Sequence, residues 1–142
     1  MADGLLTRAL IVALATLGFA IASYFTAVAC RWVRPDVGWI PSVCRLGPET
    51  CALVVFTPQA RVFGLPNSAF GQVYYLSLVL AGLGGWVLHH PMRWAFLAAS
   101  VVTVMLAVYL SHALLVTLRV RCVLCFTSHA INVALLLLLA LG

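Results

Sequence analysis

Four apolar stretches, at about residues 5–30, 69–88, 94–118 and 122–141, are each long enough to cross the hydrocarbon core of a bilayer, which takes about 20 such residues in a helix. Composition agrees with that demand. Of 142 residues, 65% are hydrophobic and only 8% charged, far from the balance of an ordinary soluble domain. The first stretch exceeds the roughly 7 to 15 apolar residues at the heart of a cleavable signal, so it is expected to be a retained span. The net charge of +5 comes from eight arginines and no lysine. Without a basic run it does not mark a nucleic-acid partner. Nothing repeats and no linker separates a second unit, so residues 1–142 are expected to form one membrane domain with lipid as its surroundings.

Residues 31–68 differ from the rest. They hold five of the six prolines and two of the five cysteines. A connection of this length is unlike a plain loop and is expected to fold over the bundle as a cap. The other connections, "HHPMR" at 89–93 and "LRVR" at 118–121, are short. Short connections make consecutive helices antiparallel neighbours, so the expected fold is an all-α, four-transmembrane-helix bundle with a long capping loop between helices 1 and 2. Gly82, Gly84 and Gly85 in the second stretch, and Ala98, Ala99 and Ser100 in the third, suit close helix contact.

The crossings then decide where the cysteines fall. Cys30 ends the first stretch, Cys44 and Cys51 lie in the long connection, and Cys122 and Cys125 open the fourth stretch. All five are therefore expected at one membrane face. A structural zinc cage is disfavoured, because C-x6-C is wider than the usual C-x2-4-C knuckle. Covalent haem would require C-x-x-C-H, and Phe126 stands where that histidine would be. No metal is expected.

Thiol and disulfide exchange fits better. Residues at i and i+3 on a helix stand about 5 to 6 Å apart at Cβ, whereas a disulfide prefers about 3.8 Å, so a C-x-x-C bond at a helix start is strained and readily reduced. The positive end of the helix, beside Arg119 and Arg121, favours the thiolate that exchange needs. A membrane dithiol needs an electron acceptor, and the chain has no dinucleotide loop or iron-sulfur spacing. A lipid-soluble quinone is the natural one. It requires an apolar pocket with a few hydrogen-bonding groups, and Asn67, Tyr74, Tyr75, His112 and His129 are available near the cysteine face.

The order C-x6-C, a hydroxyl residue six positions later, "NSAFGQVYY" and then "CVLCFTSHAIN" resembles the vitamin K epoxide reductase family from about Cys44 to Asn132. The resemblance implies a membrane oxidoreductase whose C-x-x-C exchanges electrons with a bound quinone: ubiquinone, menaquinone or a vitamin K-type naphthoquinone. By it, Cys125 is the thiol beside the quinone and Cys122 is the partner attacked by Cys51, which pairs with Cys44. Thr57 holds the family's hydroxyl position, Asn67 donates to a quinone carbonyl and Tyr75 lines the cap. His129 stands where vertebrate members carry a tyrosine, and a histidine can also donate. Many bacterial members carry a fused thioredoxin-like domain, so the implied partner here is a separate thioredoxin-like or disulfide-isomerase-like protein. Cys30 has no counterpart.

The expected function is thus quinone-dependent oxidation of a protein dithiol, promoting disulfide formation. Vertebrate-type reduction of vitamin K epoxide or quinone stands beside it, as do a thiol oxidase of the bacterial DsbB kind and a non-enzymatic membrane subunit with structural disulfides. The DsbB pattern places its C-x-x-C in the first outer loop rather than at the fourth span. Orientation draws two opposed expectations. Arg31, Arg34, Arg45, Arg61, Arg119 and Arg121 lie toward the cysteine face, against Arg8 and Arg93 at the other, which turns the cysteines to the cytoplasm. Family habit places them outside the cell membrane, where disulfides persist.

Overall fold

A computed structural model describes residues 2–30, 61–62, 65–117 and 123–142. Among the described residues, four long helices form a bundle: α1 (Ala2–Ala29), α2 (Asn67–Gly84), α3 (Met92–His112) and α4 (Val123–Leu141). A two-residue antiparallel ladder, Arg61–Val62 against Leu65–Pro66, immediately precedes α2. One π-helical turn, Ala113–Thr117, continues α3.

Three of the helices are long and apolar enough to cross a membrane, over Asp3–Ala27, Met92–His112 and Leu124–Leu141. Their large exposed side chains are apolar, as on α3, where Val101, Val102, Met105, Val108 and Tyr109 all face outward. Such a surface is costly in water and natural in lipid. At 18 residues, α2 is about 27 Å long, and Asn67, Ser68, Gln72 and Ser77 dilute its apolar content.

The helix boundaries differ from the apolar stretches for local reasons. The second stretch stays apolar through Leu88, but its helix ends at Gly84 because Gly85 takes a left-handed conformation with φ 86°. Its N–H caps the carbonyls of Ala81 and Gly82, the usual use of glycine at a helix end. The third stretch remains α-helical only to His112, and the π turn takes up its last residues. At the start of α2, Pro66 supplies a fixed φ of −57° and no side-chain cap.

Hydrogen bonds between helices fix the antiparallel order. Near one end, Thr26 of α1 donates to Ser68 of α2 at 2.9 Å, and Gln72 donates to Ser23 at 3.0 Å. At the opposite end, Arg93 at the start of α3 donates from Nε to the Leu139 carbonyl at 2.9 Å and from its terminal nitrogen to that of Ala140 at 2.8 Å. These are carbonyls of the last turn of α4, which the helix itself cannot satisfy. Cys30, at the end of α1, and Cys125, in the first turn of α4, therefore share one end of the bundle, as the count of crossings predicts.

The core is graded along its length. Toward the Arg93 end it is built from Ile11, Ala15, Leu78, Ala81, Val87, Leu135 and Leu139, all fully or almost fully buried. Toward the cysteine end, polar groups enter between helices. Hydroxyls on the outer surface behave differently, for Thr7, Thr16 and Ser77 each donate back to the carbonyl four residues earlier. A lipid-facing hydroxyl has no other partner. Glycines set the closeness of α1 and α2: a Cβ on Gly82 would collide with Val12, and one on Gly18 would lie 2.6 Å from the Tyr75 ring.

Candidate functional site

Cys125, Ser128, His129 and Asn132 fall at i, i+3, i+4 and i+7 on α4 and so form one stripe along the helix. Cys125 is half-buried near the helix start, and it packs with Leu124 and Phe126 against the apolar core. One turn below, the His129 ring meets Phe126 edge to face, with centroids 6.2 Å apart and planes at 83°. Both imidazole nitrogens of His129 are buried, and neither has a hydrogen-bond partner among the described residues. Leaving a buried polar atom unsatisfied costs about 1 to 3 kcal/mol, so an unpaired ring in this position calls for a partner outside the described protein atoms.

Tyr75 reaches the same stripe from α2. Its hydroxyl donates to Asn132 Oδ1. A phenol carries one hydrogen, so the 3.2 Å contact with Ser128 is a bond that Ser128 donates. The residue is 2% exposed, and its ring lies against Gly18 of α1. Its neighbour Tyr74 turns to α3 instead, where its hydroxyl lies 2.6 Å from that of the buried Ser100. The two tyrosine rings pack at 5.2 Å.

The remaining sequence candidates sort as follows. Asn67 is the first residue of α2 and half-buried. His112 is the exposed last residue of α3, and Cys30 is exposed where α1 ends. Cys44, Cys51, Thr57 and Cys122 lie outside the described residues, as does the cap expected over 31–68 except at its last positions. Among the described residues, no cluster of three metal-binding side chains occurs. The structure adds Ser128 and Asn132, which lie within "CVLCFTSHAIN" but for which the family resemblance implies no role. Their signal is polarity inside an apolar helix, where such residues are costly without a partner.

Comparison with known proteins is decisive here. The sequence profile of the vitamin K epoxide reductase family matches residues 9–140. The chain belongs to the vitamin K epoxide reductase family. It is similar to vitamin K epoxide reductase complex subunit 1 of Mus musculus, at 32% identity over 89% of this chain and 84% of the mouse protein. Membership in this family supports a membrane oxidoreductase with a quinone-linked redox function in general terms. The match runs through all four helices, from the first turns of α1 to the end of α4.

A quinone offers carbonyl oxygens that accept hydrogen bonds and a flat apolar ring. The site residues fit such a group. A buried imidazole can donate to a carbonyl, and Phe126, edge to face with it, is an apolar neighbour.

Proposed function

We propose that the protein is a quinone-dependent thiol oxidoreductase that draws electrons from the dithiol of a separate thioredoxin-like protein and so promotes disulfide formation. The observation that carries this reading is the pairing of Cys125 with a buried, unpartnered His129 one turn below it. In this scheme residues 1–142 act as one membrane domain, with α2 as the fourth span and residues 31–68 as the cap that brings Cys44 and Cys51 to the end of α4.

The chain's thiols act in sequence. The partner's two thiols reduce the Cys44–Cys51 disulfide; the Cys51 thiolate then attacks Cys122 of the Cys122–Cys125 disulfide, releasing Cys125 as a thiolate, and Cys44 attacks Cys51 in turn, which restores Cys44–Cys51 and frees Cys122. Each exchange forms one S–S bond and breaks another through a mixed disulfide. Re-forming the Cys122–Cys125 bond gives up two electrons and two protons. A bound quinone supplies the acceptor for both. In this scheme His129 holds one carbonyl and delivers a proton from its ring nitrogen, Asn67 holds the other carbonyl, and Thr57 and Tyr75 shape the surroundings of the thiols. Phe126 and Leu124 exclude water from that end of α4.

The test is electron delivery. The purified protein, mixed with a reduced thioredoxin-like donor and menadione, should bleach the quinone absorbance, and Cys125→Ala should abolish this. A Cys51–Cys122 bridge should accumulate when Cys44, the thiol that resolves it, is replaced. Formation of quinone from its epoxide with a small dithiol, and no reaction with a protein donor, would favour the vertebrate-type reaction. Absence of cysteine-dependent bleaching and of any quinone extracted from the protein would favour a structural subunit. A reporter fused after Gly142 reads the orientation: activity outside the cell places the cysteine end in the cytoplasm.

A further inference from the structure

We infer that Tyr75 is a positioning residue for the redox end of α4: its hydroxyl, gripping Ser128 and Asn132 together, sets the rotation and depth at which α4 presents Cys125 and His129. The inference rests on the proposed function for what that end of α4 does, but not for the geometry. Tyr75 is held from behind by α1, where Gly18 leaves no room for a Cβ between the helix and the ring. In front, it makes two hydrogen bonds to one helix at positions one turn apart. A single bond would leave α4 free to turn about it. Two bonds at i and i+4 fix both the angle about the axis and the height along it.

The gripped residues are neighbours of the working ones. Ser128 immediately precedes His129, and Cys125, Ser128, His129 and Asn132 share the stripe described above. A helix turns by about 100° per residue, so a small rotation that frees Ser128 and Asn132 carries Cys125 and His129 with it. The other polar links at this end, Thr26 to Ser68 and Gln72 to Ser23, join α1 to α2 and do not touch α4. The bonds of Tyr75 cross to α4. Such bonds between membrane helices are modest in energy, so the expected consequence is a change in the thiol's setting rather than unfolding.

The experiment uses the full-length protein in lipid nanodiscs, reduced, with Tyr75→Phe, Asn132→Ala and the double variant. Tyr75→Phe keeps the ring on Gly18 and removes only the hydroxyl. Iodoacetamide labelling of Cys125 is followed by mass spectrometry on the tryptic fragment that begins at residue 122, and menadione reduction is measured in parallel. The expected result is a change of roughly two- to tenfold in the Cys125 labelling rate in each single variant, the range one hydrogen bond supplies. The double variant should go no further, since both changes remove one linkage. KM for menadione should rise more than kcat falls. Wild-type labelling and KM in Tyr75→Phe, even with a lowered melting temperature, would overturn the inference and leave Tyr75 as packing. So would effects that multiply in the double variant. If the wild-type protein bleaches no menadione, the proposed function fails, and the labelling comparison still decides the role of Tyr75. Should Asn132→Ala not fold, Ser128→Ala takes its place in the cycle.

Discussion

Gly18 on α1 and Tyr75 on α2 are matched surfaces: a Cβ at position 18 would stand 2.6 Å from the tyrosine Cε1 and 2.7 Å from Cζ. Neither atom can move far, because the ring is buried and its hydroxyl is tied to α4. Gly18→Ala should therefore destabilise the protein by about 1 to 3 kcal/mol, the usual cost of overpacking. Gly4→Ala is the control, since nothing lies within 4 Å of that position. Thermal unfolding in detergent should separate the two, with a lower midpoint only for the substitution at position 18.

His129 combines poor stability with its proposed use. Replacing it by leucine removes two buried nitrogens without partners. The free protein should become more stable by about 1 kcal/mol or more, because no hydrogen bond is lost and a desolvation cost is relieved. Menadione reduction by His129→Leu should nonetheless suffer, with KM raised about tenfold, the equivalent of ~1.4 kcal/mol. Unfolding midpoints and steady-state kinetics on the same preparation check both halves.

Tyr74 should behave unlike Tyr75 although the two are adjacent. Tyr74→Phe removes a bond to Ser100 on α3, and the serine can turn back onto its own helix. A loss of about 0.5 to 1.5 kcal/mol in stability is expected, with Cys125 labelling at the wild-type rate. A labelling change as large as that in Tyr75→Phe would show that the two hydroxyls act on the same helix.

Arg93 joins the two ends of the α3–α4 hairpin by two charge-assisted hydrogen bonds. Arg93→Ala should lower stability by about 1 to 3 kcal/mol, at the low end of two such bonds because the group is only half-buried. Hydrogen exchange should quicken at the amides of the last turn of α4 while the first turn is unchanged. Arg93→Lys should recover part of the loss, since a lysine reaches only as a point charge.

Much of the fold was readable from the chain, because span length is a one-dimensional property. The runs that became α1, α3 and α4 announce themselves by about 20 apolar residues each. The end of α2 was less visible: Trp86, Val87 and Leu88 prolong the hydropathy signal beyond the point where Gly85 stops the helix. The site divides in the same way. Cys125 and His129 are close in sequence, so helical spacing puts them on one face without any structure. The partners of Tyr75 lie 53 and 57 residues away, and only the packing of α1, α2 and α4 brings them together. Nor could the isolation of the His129 nitrogens be foreseen, since it depends on what fails to arrive.

The clasp between Arg93 and the tail of α4 closes the end of the last two helices that the chain leaves open. The backbone already ties them together beside the cysteines, where a short run of residues leads from α3 into α4. Knotted at both extremities, the pair is a closed frame, and a sulfur mounted on its rim keeps one stance toward whatever arrives from the bilayer.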